Sequence, residues 1–221
     1  MSARLRALAR SALGRPRIVT RASGTPAAVA LTFDDGPSEW TAEVAGALEQ
    51  HGCRGTFFLL GAAVERHPEA AAALARAGHE LGNHLWTHSD PARQSHVDLR
   101  RELRRTAAVI QEAAGTRPAL VRPPYCGAPK RVALAASLGG ARLVVLRSVD
   151  PADWSRDSAD EIVERVLSEI GPGDIVCLHD GVSPGNQGSA TRAPTAGAVA
   201  RLVPELLERG LRPVTVSELL A

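Results

Sequence analysis

The sequence is short of aromatic residues, of cysteine and of long apolar runs, and each shortage removes a class of protein. Seven aromatics occur in 221 residues, Phe33, Phe57, Phe58, Trp40, Trp86, Trp154 and Tyr125. Most fall in apolar strands or beside polar motifs, so an extended groove on which a long polymer could stack is not expected. Cys53, Cys126 and Cys177 are odd in number and far apart, which fits neither a disulfide framework nor a zinc finger. No segment approaches the roughly 18 apolar residues of a membrane span, and no integral membrane segment is expected. A secretory signal needs an uninterrupted apolar core of roughly 7–15 residues. Arginines interrupt the N-terminal stretch too often to supply one, so a cytoplasmic location is expected unless the start site is misassigned.

Charge of one sign is also missing from the start of the chain. Residues 1–25 hold Arg4, Arg6, Arg10, Arg15, Arg17 and Arg21 and no acid, which leaves 20 basic against 24 acidic residues in the body. A mildly acidic body offers no clustered Lys and Arg for a phosphate backbone, and nucleic acid is not an expected partner. Residues 1–24 read as a basic leader, solvated or docked, with residues 25–221 as a single domain. Leu5, Leu8 and Leu13 are too sparse to favour a membrane-surface helix.

What the chain has in abundance is a repeated rhythm. An Ala/Leu-rich helical stretch, a glycine able to stop it and a short apolar strand recur at 47–60, 72–84 and 133–149. The rhythm returns in IVERVLSEIGPG before DIVCLHD and in LVPELLERG before LRPVTVSEL. Strands that read as nearly continuous apolar runs, such as LVVL and DIVCL, imply a parallel sheet covered by helices. With AVALTF (28–33) and ALVRPP (119–124) the count reaches about seven strands, the pattern of a closed or nearly closed α/β barrel. A doubly wound open sheet is the alternative, and no Gly-x-Gly-x-x-Gly turn follows the first strand to support it.

The unusual polar residues lie just past strand C-termini, the ends that converge on one face in such barrels. Asp34 and Asp35 follow AVALTF; His84 follows HELGN; Arg122 and Tyr125 follow ALV; Asp150 and Asp153 follow LVVLRSV; His179 and Asp180 follow DIVCL. Asp34-Asp35-Gly36-Pro37 could be a simple turn, but adjacent carboxylates repel and a nearby cation would relieve that cost. His84 and His88 are four apart, which on one helical turn would aim both imidazoles the same way. Two imidazoles and Asp35 would leave open positions on a metal, as an activating hydrolytic site requires. His179 is either a satisfied core histidine or a separate acid/base group. Arg122 either anchors its turn or orients a carboxylate such as Asp34 or Asp153, and Trp154 is either core or pocket wall. His51, His67, His79 and His96 read as structural or solvated.

Together TFDDGPS (32–38), HELGNHLWTH (79–88), RPPY (122–125), DPADW (150–154) and IVCLHDG (175–181) resemble the five ordered motifs of the polysaccharide deacetylases, the nodulation-type chitooligosaccharide deacetylase domain. The resemblance covers residues 28–220 and implies a distorted (β/α)7-type barrel. It implies Asp34 as general base, Asp35, His84 and His88 as ligands of one divalent metal, and Arg122 as the partner that steadies Asp34. Asp153 would join that network or tune His179, the general acid. The Tyr125 N–H would hold the oxyanion, and Trp154 with Leu178 would line an acetyl pocket. Zn²⁺ is the first choice of metal, with Co²⁺, Mn²⁺ and Ni²⁺ as others. The implied reaction removes an N-acetyl group from an amino sugar, short oligosaccharide or conjugate. A departure lies at Cys126, which stands between Tyr125 and Gly127 where members commonly read RPPYG.

Rival readings are a non-haem iron oxygenase, which would not need Asp34, Arg122 or His179; a non-catalytic carbohydrate-binding relative; and a hydrolase of cyclic ureides or imides on the same fold. Monomer and small homo-oligomer are both compatible with the sequence.

Overall fold

The computed structural model describes residues 15–24, 27–137, 139–185 and 188–221. Among these, eight strands follow in chain order: β1 (Arg17–Val19), β2 (Ala28–Asp34), β3 (Thr56–Leu59), β4 (Glu80–Asn83), β5 (Leu120–Val121), β6 (Leu143–Val145), β7 (Ile175–His179) and β8 (Arg212–Pro213). The helices are α1 (Thr41–Glu49), α2 (Gly61–Arg66), α3 (Pro68–Arg76), α4 (His96–Ala114), α5 (Pro129–Ala136), α6 (Ala159–Glu169), α7 (Ala193–Glu208) and α8 (Val216–Leu219). Short 3₁₀ turns occupy Pro124–Cys126 and Asp153–Ser155.

The seven strands run β1-β6-β5-β4-β3-β2-β7, all neighbours parallel, and β8 pairs with the start of β2. Parallel pairing and helical crossovers curl the sheet into the expected seven-stranded (β/α) barrel. Closure is incomplete: beyond the named strands, Val149 bridges Val176 and Arg21 bridges Asp174 as isolated pairs near the β7 edge.

Strand parity decides what each face holds, because successive side chains point to opposite sides. In β2, Val29, Leu31 and Phe33 join an outer core with Leu48, Val199 and Leu202 from the helices. Ala30 instead joins an inner cluster with Phe58, Val145 and Ile175, so Thr32 and Asp34, on the same parity, face the lumen. The same alternation sends Val176 and Leu178 of β7 outward and Ile175, Cys177 and His179 inward. Space inside is limited. A Cβ on Gly82 would lie 2.3 Å from the Phe58 ring, a contact only glycine avoids at that point of β4.

Local signals set the helix ends. Ser95 caps α4 by accepting from the Asp98 N–H at 3.1 Å, and Thr215 with Glu218 forms a capping box on α8.

The leader boundary at residue 24 is corrected. Arg17–Val19 pairs with Leu143–Val145 of β6, and Val19 and Ala22 are buried in the inner core. Arg17 and Arg21 lie on the exposed side, so a run that reads as continuously charged still donates its backbone and its small apolar residues to the sheet. Residues 1–14, which carry the rest of that leader, lie outside the described residues. No helix among the described residues is long and apolar enough to cross a membrane.

Candidate active site

Five strand ends deliver the polar residues to one mouth. Asp34 is the last residue of β2 and Asp35 leaves it with φ 74°. His84 follows β4, Arg122 follows β5, Asp153 opens its 3₁₀ turn beyond β6, and His179 ends β7. His84 and His88 do not share a helical turn, as their spacing suggested. They sit on an irregular loop in which Leu85 and His88 have φ of 66° and 61°. The two left-handed residues bend the chain back on itself and bring the rings to 5.2 Å between centroids.

Asp35 Oδ1 lies 3.5 Å from His84 Nε2 and 3.4 Å from His88 Nε2. Those separations exceed a normal hydrogen bond and match the edge of a tetrahedral metal site, about 3.3 Å for bonds near 2.0 Å. Asp35 Oδ1 is buried without a hydrogen-bond partner, a costly state that a cation at this carboxylate would relieve. His84 Nδ1 lies 2.8 Å from the Arg122 carbonyl, which can only accept. The Nδ1 therefore carries a proton, and Nε2 is the ring nitrogen turned to Asp35. Burial holds His88 down to about 4, against the pull of Asp35, so its ring is neutral and fit to ligate. The residues present fit one divalent cation.

Beside this triad stand two acid–base pairs. Arg122 is fully buried and donates from Nη1 to Asp34 Oδ1 at 2.8 Å and to Thr32 Oγ1 at 2.7 Å, and from Nη2 to the Leu146 carbonyl at 3.0 Å. Burial opposes the Asp34 charge, but Arg122, then His84 and His179, more than offset it and hold the carboxyl down to about 2. Asp34 is thus ionised with one oxygen committed to Arg122. His179 Nδ1 lies 2.7 Å from Asp153 Oδ1, and Asp153 Oδ2 accepts from the His179 N–H and from Thr195 Oγ1, both at 2.8 Å. Burial would lower His179; the Asp153 carboxylate wins and raises it to about 9. The imidazole is protonated at neutral pH and its Nδ1 is occupied. Asp153 accordingly pairs with His179, and Arg122 with Asp34.

Asp34, Asp35, His84, His88 and His179 line a cavity of about 440 Å³ together with Tyr125, Trp154 and Cys177, with Arg122 and Asp153 bonded behind Asp34 and His179. Tyr125 is 65% exposed, packs edge-on to His88 at 4.6 Å and has φ 58°. Cys126 and Ala128 also have positive φ, so the loop with the extra residue follows an unusual path. Leu178 is corrected: it is fully buried in the outer core among the helix-facing residues and does not line the cavity. Its neighbour Cys177 does, because parity with His179 turns it inward. That signal was present in the sequence, two positions before the histidine.

Other residues carried less signal. Arg192, in the long loop before α7, is buried and donates to the Gly181 carbonyl at 2.9 Å and, from Nη1, to the Ser189 and Thr191 carbonyls. It props the cavity wall, and no local pattern marks it. Asp180 was placed at the mouth by the sequence without a role. It accepts from the Thr41 hydroxyl, and burial, opposed by that bond, drives it up to about 7.

The polysaccharide deacetylase family profile matches residues 21–144. A chitooligosaccharide deacetylase from Bradyrhizobium sp. (strain ANU 289) is 40% identical over 194 residues, spanning 85% of this chain and 88% of its own. Among solved structures, a peptidoglycan N-acetylglucosamine deacetylase in complex with 4-naphthalen-1-yl-N-oxidanyl-benzamide superposes with a TM-score of 0.84 at 31% identity, covering 93% of each chain. A CE4 family pseudoenzyme from Bacillus anthracis has nearly the same fold, with a TM-score of 0.83 at 26% identity over 93% of this chain and 69% of its own. The backbone alone therefore does not carry activity, which depends on the side chains placed on it. On the matched profile and on identity spread over most of both chains, this chain belongs to the polysaccharide deacetylase family.

Proposed function

We propose that the protein is a metal-dependent hydrolase that removes the N-acetyl group from an amino-sugar-containing substrate and releases acetate. The observation that carries this reading is the meeting of Asp35, His84 and His88 with the Asp34–Arg122 and His179–Asp153 pairs on one cavity. An iron oxygenase would need the triad and have no use for the two pairs.

A divalent cation held by Asp35, His84 and His88, with Zn²⁺ the first choice, supplies a Lewis acid for the acetamide carbonyl and lowers the pKa of water. Asp34, ionised and aimed by Arg122, takes the proton of the attacking water. The Tyr125 N–H donates to the oxyanion that develops on the carbonyl oxygen. His179 carries the proton that the departing nitrogen needs, and without it the nitrogen would leave as an anion. Asp153 keeps that imidazole charged and oriented. Trp154 walls the cavity on the acetyl side, and a space of about 440 Å³ suits one sugar ring of a short oligosaccharide or conjugate. The Bradyrhizobium relative, a chitooligosaccharide deacetylase, supports the same substrate class.

Acetate release from a panel of N-acetylated sugars and conjugates, with and without chelator, tests this reading. Loss of release on chelation and in Asp34→Asn is expected. An unchanged rate with chelator overturns the mechanism, and turnover of cyclic ureides alone overturns the sugar assignment.

A further inference from the structure

The residues that serve the proton transfers also form a second ligand set. Asp34, Cys177 and His179 offer a carboxylate oxygen, a thiol sulfur and a ring nitrogen, all within 4.8 Å of one another. Cys177 Sγ donates to Asp34 Oδ2 at 3.4 Å, close to the roughly 3.5 Å edge between sulfur and oxygen ligands on a tetrahedral cation. Cys177 is 4% exposed and faces the cavity. His179 has its Nδ1 tied to Asp153, the carboxylate–histidine arrangement that steers the other ring nitrogen toward a metal.

From this geometry we propose a second cation site, Asp34–Cys177–His179, selective for thiophilic ions, whose occupation switches the enzyme off. Selectivity comes from sulfur: the Asp35–His84–His88 triad offers none, whereas a thiolate prefers soft cations. Binding replaces the Cys177 S–H bond and the His179 Nε2–H bond with bonds to the metal and releases both protons to solvent. Inhibition follows because the ion takes a lone pair of the base and displaces the proton of the acid. The binding claim stands on geometry alone; the inhibitory consequence rests on the proposed deacetylase roles.

The test uses the full chain loaded with one equivalent of Zn²⁺ and titrated with Cd²⁺, followed by thiolate-to-cadmium charge-transfer absorption in the ultraviolet and, in parallel, by acetate release. The expected result is absorption that saturates at one Cd²⁺ per chain, persists in Cys126→Ser and vanishes in Cys177→Ser. Half-saturation should need at least tenfold more Cd²⁺ in His179→Gln. Should Cys177→Ser fail to fold, Cys177→Val serves the same comparison. Absorption that is absent from the parent, or that survives removal of the Cys177 thiol, overturns the site. A parent that shows the absorption yet releases no acetate from any substrate keeps the site and loses the deacetylase reading. Acetate release without the absorption does the reverse.

Discussion

Arg122 bears more of this site than any other single side chain. Its guanidinium holds Asp34, Thr32 and two backbone carbonyls and lies over the Phe58 ring at 4.2 Å, while its own carbonyl fixes His84. A fork with five donors is needed to make those bonds at once. Arg122→Met should leave Asp34 buried and unpaired, at a cost of about 3–5 kcal/mol, read by urea denaturation of the metal-free protein. A loss below about 1 kcal/mol would show that Asp34 does not depend on it. At the same scale, Asp153 sets the acid. His179 can donate only while protonated, and its proton is lost as pH rises through about 9. Asp153→Asn removes the attraction that overcomes burial, so the alkaline limb of the kcat/KM profile should move to lower pH. A limb that stays in place would remove His179 from the acid role.

At the scale of elements, close approach between two loops positions the triad. A Cβ on Gly181, just past β7, would lie 2.3 Å from the Asp35 carbonyl oxygen. Gly181→Ala must push the Asp35 loop aside, with an overpacking cost of about 1–3 kcal/mol. Its affinity for Zn²⁺ should fall at least tenfold in competition with a chromophoric chelator, and an affinity equal to the parent's would refute the coupling. Elements also show why the sequence was legible where it was. Strand ends were readable because apolar runs stop at them, and the mouth with Asp34, Asp35, Arg122 and His179 followed from that. The His84–His88 loop was not, since a four-residue spacing fits a helical turn and an irregular bend equally well and nothing local marks Leu85 for a left-handed conformation. Leu178 was misplaced for a different reason: alternation along IVCLH would have turned it outward, and the resemblance to the family outweighed it.

For the whole molecule, a cation that binds only the folded chain adds RT ln(1 + [L]/Kd) to its stability, about 4 kcal/mol at a thousandfold excess over Kd. For a chain of this size that is a rise of roughly 8–16 °C in Tm. Zn²⁺ should produce it in the parent and not in a His88→Gln variant, as followed by thermal melting with and without chelator; equal shifts in both would place the ion elsewhere. The barrel itself was legible from its helix–strand rhythm, because that rhythm reports burial on both faces of a parallel sheet. The membership of β1 was not, because three residues among arginines carry too little hydrophobic pattern, and only the partner strand β6 supplies the reason to pair.

The incomplete closure near β7 gives the barrel one compliant wall. Around the rest of the ring each strand is stitched to its neighbour, whereas here single bridges at Val149–Val176 and Arg21–Asp174 do the joining. His179 ends β7, whose other side is stitched along Ala30–Asp34 to β2, the strand from which Asp35 leaves. Bulk entering or leaving can therefore be accommodated by parting β7 from the β1–β6 edge, with the β2–β7 seam that carries Asp34 and His179 held together.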